Sequence, residues 1–359
     1  MKRVLLGLAV IAILLFVGAM LPVATWRTGE IPQPALQYEP TTGPNARPTR
    51  IWIDADAACG TGERRDPDDC LALLSLTTAR DIEIVGISTI FGNAPVLVTD
   101  RVTRALVQQL PSGTGPSLRV HTGCGAAAAR CLAEGGSVDA QVALAKALHA
   151  GVMDYVALGP LTNLAAVIAR EPALARRITR VIAVMGRRPG HRFHPSENRG
   201  VGAMLFGHGP IFRDLNAVMD ARAVDVVLGS GVPVVLVPYT AARHVSLRSL
   251  DLDRIASSGK AGRWVSDRSR SWLGWWRREV GLEGFYPFDL MAAAYIRDAG
   301  RFRCARVSAW VGDDAQLGWL SGGPALLISQ ADQPPVSSAV RTDVRYCDAV
   351  DVTVDALFH

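Results

Sequence analysis

Ile51-Trp52-Ile53-Asp54-Ala55-Asp56, followed after an interruption by Asp68-Asp69-Cys70-Leu71-Ala72-Leu73, is the stretch on which the fold turns. Its apolar opening has the composition of a buried strand, and the Leu/Ala run after Asp69 that of a helix start. Carboxylates therefore gather at the carboxyl end of one strand and the amino end of the next helix. In open α/β sheets that is where ligand sites form. Like charges this close repel, and burying them unpaired is costly. A hard cation held by oxygen ligands relieves both problems, and Ca²⁺ or Mg²⁺ fits best. The plain alternative is a solvated acidic loop with Asp68 as a helix N-cap.

Outward from this stretch, β-branched runs alternate with Ala/Leu-rich helical patterns. Residues 82–90 read as a strand ending at Phe91-Gly92-Asn93, and 100–110 as a helix. Strands follow at 118–121, 155–158, 181–185 and 234–237, with helices at 138–150, 161–169, 217–228 and 290–297. This alternation predicts an α/β fold with an open, mostly parallel, doubly wound sheet and helices on both faces. Residues 186–213, rich in Gly, Pro, His and Arg, read as one long loop. Residues 264–286 carry Trp272, Trp275, Trp276 and Phe285, which suits a core-facing or membrane-facing helix, or a stacking surface for a ligand.

The chain has 359 residues, 49% hydrophobic and 20% charged, enough for one large α/β domain. A formal charge of +5 with no basic stripe interleaved with aromatics argues against a nucleic-acid partner. Lys2-Arg3 precede an uncharged apolar stretch, so residues 1–26 read as a transmembrane anchor or a cleaved signal peptide. Either form exports the rest of the chain: anchored in the membrane with an extracytoplasmic domain, or secreted. Residues 27–49, rich in Pro, Thr and Gly, read as a linker, and 50–359 as the domain. The six cysteines allow disulfides, with Cys124–Cys131, Cys304–Cys347 and Cys59–Cys70 the candidate pairs. An assembly of several copies is left open.

Asp or Asn recurs at further strand ends and helix starts: after Gly159-Pro160-Leu161-Thr162, in Asp214-Leu215-Asn216, and at Phe288-Asp289. Each alone is more often an N-cap than a ligand. Together with Ala157-Leu158-Gly159-Pro160-Leu161-Thr162-Asn163, Val184-Met185-Gly186 and Phe91-Gly92-Asn93, their order along the chain resembles that of the inosine-uridine nucleoside hydrolase family. The resemblance covers most of the chain from Arg50 onward. It implies Ca²⁺-dependent hydrolysis of the N-glycosidic bond of ribonucleosides, giving ribose and free base. It also implies roles by position. Asp56, Asp69, Asp289 and the backbone carbonyl of Leu158 would hold the metal, and Asp68 would be the general base. Asp54 would orient the site from behind, while Asn93, Met185, Asp214 and Asn216 would contact the substrate.

Three departures from the family pattern stand out. Residues 57–67 form an insertion between the aspartates, which must loop out if Asp56 and Asp69 share a cation; a shifted alignment would instead make Asp66 a ligand. Phe288 stands where many members have a histidine proposed as leaving-group acid, and phenylalanine has no proton to give. His191, Arg192 and His194 are alternative sources of an acid. Asp214 replaces a glutamate. These departures keep two rivals open: a ribosyl-binding protein without turnover, and a hydrolase of another glycosyl linkage.

Overall fold

The computed structural model describes residues 35–41, 48–111, 118–127, 131, 139–189, 191, 214–313, 324–330 and 340–358. Its strands are β1 (Tyr38–Pro40), β2 (Thr49–Ala55), β3 (Ile82–Thr89), β4 (Val120–Thr122), β5 (Met153–Ala157), β6 (Ile178–Ala183), β7 (Val234–Leu236), β8 (Phe302–Asp313), β9 (Pro324–Gln330) and β10 (Arg341–Ala349). Its α-helices are α1 (Asp68–Thr78), α2 (Val96–Val107), α3 (Asp139–Ala150), α4 (Thr162–Arg170), α5 (Leu215–Met219), α6 (Ala221–Gly229), α7 (Ser249–Ser257), α8 (Lys260–Trp275), α9 (Leu290–Arg297) and α10 (Val354–Phe358).

One ten-stranded sheet runs through the domain. β4, β3, β2, β5, β6, β7 and β10 lie side by side, every neighbouring pair parallel. β8 then pairs antiparallel with β10, β1 and β9. The sheet is therefore mixed: a parallel body with an antiparallel edge. That edge had no forecast, because the expected alternation of strand and helix stops after α9.

Alternation along β2 explains the layers. Ile51, Ile53 and Ala55 face one core cluster, built with residues of α1, α2, α8 and α9. Trp52 faces the other, with residues of α3, α4 and α6. Helices thus cover both faces. The chain leaves β2 toward β3 and β4, then returns past β2 to β5, so the strand order reverses between β2 and β5. A crevice opens at the carboxyl ends of strands where that happens.

Part of the stretch expected to be linker is strand. Tyr38, Glu39 and Pro40 pair with Ala305, Cys304 and Arg303 of β8. The expected anchor or signal, residues 1–26, lies outside the described residues; among those described, no helix is long and apolar enough to cross a membrane. Most of the expected long loop, with Arg192 and His194, also lies outside them. The expected helix at 217–228 is two helices, α5 and α6, broken at Asp220, whose carboxylate caps α6 by accepting the Ala223 N–H. Cys59–Cys70, Cys124–Cys131 and Cys304–Cys347 are all disulfide-bonded.

Candidate active site

The site is founded on a buried polar network behind the strand ends. Asp54 is fully buried on β2, in register with Ser88 of β3 and Ala157 of β5. Its carboxylate accepts the Ser88 hydroxyl at 2.6 Å, the Tyr155 hydroxyl at 2.6 Å and the Asn163 amide at 2.9 Å. Burial raises its pKa and the three donors oppose that shift. Asn163, from the Gly-Pro-Leu-Thr-Asn turn, also donates to Thr89 O and accepts the Cys124 N–H. One amide therefore ties together the ends of β2, β3 and β4. The sequence flagged Asn163 only as part of a motif; Ser88 and Tyr155 gave no signal at all, because their role depends on strand register.

In front of this network lie the remaining carboxylates. Oxygens of Asp56, Asp69 and Asp289 lie within 4.8 Å of one another, and all three residues are buried. Asp56 N–H donates to Asp69 Oδ1 at 3.0 Å, and Asp56 Oδ2 accepts the Asn93 N–H at 2.8 Å. Gly92 makes that approach possible: its φ is +156°, and a Cβ there would lie 1.9 Å from Asp56 Oδ2. Asp68 bridges two elements. Its Oδ1 accepts the Asp69 N–H at 3.1 Å and its Oδ2 the Asp289 N–H at 2.8 Å.

These groups are electrostatically strained. Burial, opposed by hydrogen bonds, pushes the Asp56 carboxyl up to about 7 and also raises Asp68. Burial and then the neighbouring carboxylates push Asp69 and Asp289 well above the usual range. Asp69 Oδ2 is buried without a hydrogen-bond partner. An orphaned carboxylate oxygen among all-oxygen donors is what a hard cation would satisfy. Asp66 is half-buried and outside this trio; its carboxylate accepts the Asp68 N–H at 3.2 Å.

A cavity of about 340 Å³ opens over the cluster. Asp56, Asp68 and Asp289 form its floor, and Asn93, Asp214 and Asn216 contribute to its walls. Asp214 is buried, and its Oδ2 accepts the Gly186 N–H at 2.7 Å; burial raises its pKa to about 6. Asn216 donates to Leu158 O at 2.7 Å and Val184 O at 3.1 Å, clamping the ends of β5 and β6. The Leu158 carbonyl thus has one lone pair engaged and a second free in principle for a cation.

Met185 departs from its expected position. It is buried in the core with Ala183 and Leu236, and its neighbour Val184 lines the cavity instead. On an extended segment adjacent side chains face opposite ways, so only one of the two can reach the site. Trp275 and Trp276 are core residues, whereas Trp272 both packs in the core and lines the cavity beside Phe288. Sequence reasoning missed Arg64 and Tyr239, two further lining residues. The Tyr239 hydroxyl lies 3.3 Å from His191 Nδ1.

Known proteins resemble this chain in sequence and fold. The model of the inosine-uridine preferring nucleoside hydrolase family matches residues 51–353. Uridine nucleosidase 1 of Arabidopsis thaliana is 26% identical over 246 residues, 62% of this chain and 68% of that protein. The pyrimidine-specific ribonucleoside hydrolase RihA of Citrobacter koseri is 26% identical over 169 residues, 46% of this chain and 48% of that protein. Among solved structures, the plant nucleoside hydrolase PpNRh1 superposes with a TM-score of 0.64 at 17% identity, covering 87% of this chain and 97% of that one. The purine-preferring ribonucleoside hydrolase from Gardnerella vaginalis gives 0.62 at 18% identity, covering 85% and 94%. At such identities the structural likeness speaks to the fold, while the family match spans nearly the whole domain. This chain belongs to the inosine-uridine preferring nucleoside hydrolase family.

Proposed function

We propose that this protein is a Ca²⁺-dependent ribonucleoside hydrolase, splitting the N-glycosidic bond with water to give ribose and free base. The observation that carries the reading is the convergence of Asp56, Asp69 and Asp289 beside Asp68, with Asp56, Asp68 and Asp289 lining a nucleoside-sized cavity and Asp69 buried beneath it. Asp56, Asp69 and Asp289 would hold the cation, with the Leu158 carbonyl as a further donor. When bound, the cation supplies Lewis acidity toward the ribose diol and water.

The rest follows from the chain's own side chains. Asp68 takes the proton of the attacking water; two backbone N–H groups fix its orientation, and burial raises its pKa above the usual carboxylate value. As the C1′–N bond breaks, positive charge grows on the sugar, and the surrounding carboxylates stabilise it. Asn93, Asp214 and Asn216 orient the ribose hydroxyls, and Asp54 holds the strand ends that carry Asp56 and Leu158.

The reading includes an extracytoplasmic domain. Lys2-Arg3 and the apolar stretch after them support a membrane anchor or a cleaved signal, and three disulfides support an oxidising compartment.

Full-length protein incubated with Ca²⁺ and a panel of purine and pyrimidine nucleosides should release free ribose, read as reducing sugar. Failure to cleave any of them would overturn the reading. Phe288, which lines the cavity and offers no proton, favours one rival: a ribosyl-binding protein without turnover. Calorimetric binding of nucleosides with no product formed would decide for that rival.

A further inference from the structure

We propose that Arg64, carried by the inserted loop, stabilises the departing base by taking its negative charge. The inference rests on the hydrolase reading above and names a group that reading leaves unassigned.

Five carboxylates line the cavity: Asp56, Asp66, Asp68, Asp214 and Asp289. Among the described residues, Arg64 is the single cationic side chain lining it. The loop that presents it is anchored on both sides. Cys59–Cys70 closes its base, and the Thr61 hydroxyl donates to Ala58 O at 2.7 Å. Glu63 pairs with Arg278, just beyond α8. Arg65 donates to Asn93 O, and Asn93 Nδ2 donates back to Asp66 O at 2.9 Å. The residues on either side of Arg64 are thus tied to two separate elements, and Arg64 itself reaches the cavity. Among the described residues it makes no hydrogen bond or ion pair there.

The chemistry needs such a group. The water oxygen bonds to C1′ while the C1′–N bond breaks, and its electron pair stays on the base nitrogen. The water's proton passes to Asp68 and then to solvent. The base leaves as an anion and takes a proton from solvent afterwards. Phe288 and Trp272 give it an aromatic wall but no charge. Arg64 keeps its protons and donates hydrogen bonds from a planar fork, which matches the edge of a planar heterocycle. The competing donor on the wall is Tyr239.

The test compares uridine and inosine with 4-nitrophenyl riboside, whose leaving group is stable as an anion without help. Arg64→Gln should lower kcat on the nucleosides about 100-fold, as loss of one preorganised donor does, with at most about a threefold change on the nitrophenyl riboside. Arg64→Lys, which keeps the charge, should recover part of the nucleoside rate. The inference is overturned by equal losses on both substrate types, by no loss on nucleosides, by a wild type that cleaves only the nitrophenyl riboside, or by a nucleoside-selective loss in Tyr239→Phe with Arg64→Gln unaffected. A wild type inactive on every substrate overturns the hydrolase reading itself, a distinct result.

Discussion

The carboxylate of Asp68 accepts the backbone N–H of Asp289 at 2.8 Å, across 221 residues of chain. That bond locks the start of α9 to the start of α1. It sets Asp289 beside Asp56 and Asp69 while fixing Asp68, so the candidate metal ligands and the candidate base form one unit.

Such a unit concentrates buried negative charge and should gain stability from a divalent cation. Ca²⁺ at a hundred times its Kd should stabilise the fold by about 2.7 kcal/mol. Thermal denaturation with and without Ca²⁺ checks this. Asp69→Asn, which removes one charge of the orphaned carboxylate, should abolish most of the shift; an undiminished shift would place the ion elsewhere.

Asp54 accepts three buried donors and is not among the residues lining the cavity over the carboxylate cluster. Asp54→Ala would strand the Ser88, Tyr155 and Asn163 groups together, at a cost of roughly 3–5 kcal/mol. Urea unfolding measures it. A cost under about 1 kcal/mol, the typical worth of one net hydrogen bond, would mean the network is not what holds β2, β3 and β5 in place.

Asp214 makes stability depend on pH. Its folded pKa is raised to about 6, so the folded state binds a proton that the unfolded chain has lost. The contribution is fully present below the unfolded value near 4 and is lost as pH rises through about 6, a loss of up to about 3 kcal/mol. Asp214→Asn keeps an oxygen for the Gly186 N–H and removes the titration. Its stability, measured by urea unfolding in chelator, should fall less steeply than the parent's across this window, the remaining slope coming from other raised carboxylates such as Asp56. A parallel pH profile would refute the assignment.

Cys59–Cys70 spans 11 residues at the base of the inserted loop. Replacing both with serine should cost about 2–3 kcal/mol of stability. It should also lower nucleoside turnover, because the loop carries Arg64 and Cys70 follows Asp69 directly. Unchanged kinetics in the double variant would show that the loop is held by its other contacts alone.

Much of this was legible from composition and order. The run from Ile51 to Asp56 identifies the central strand because its faces alternate into two cores, and acidic residues at strand ends mark the sheet edge. Cysteine proximity along the chain suggested Cys124–Cys131. The antiparallel edge of β8, β9 and β10 was not legible, since the alternation of strand and helix read from the sequence ended at α9. Nor was Arg64: where an inserted loop goes depends on partners far along the chain, here Arg278 and Asn93. The exchange of Met185 for Val184 turned on a single residue of register, which periodicity does not resolve.

The central claim is that Asp68 is the base at a metal-loaded ribosidase site. Its most direct test is ribose release by Ca²⁺-loaded wild type and Asp68→Asn, measured side by side. The account predicts ribose and base in equal amounts from the wild type, and a kcat lower by roughly 10²–10⁴-fold in Asp68→Asn. Equal rates in the two proteins, or no release from any ribosyl compound, would contradict it.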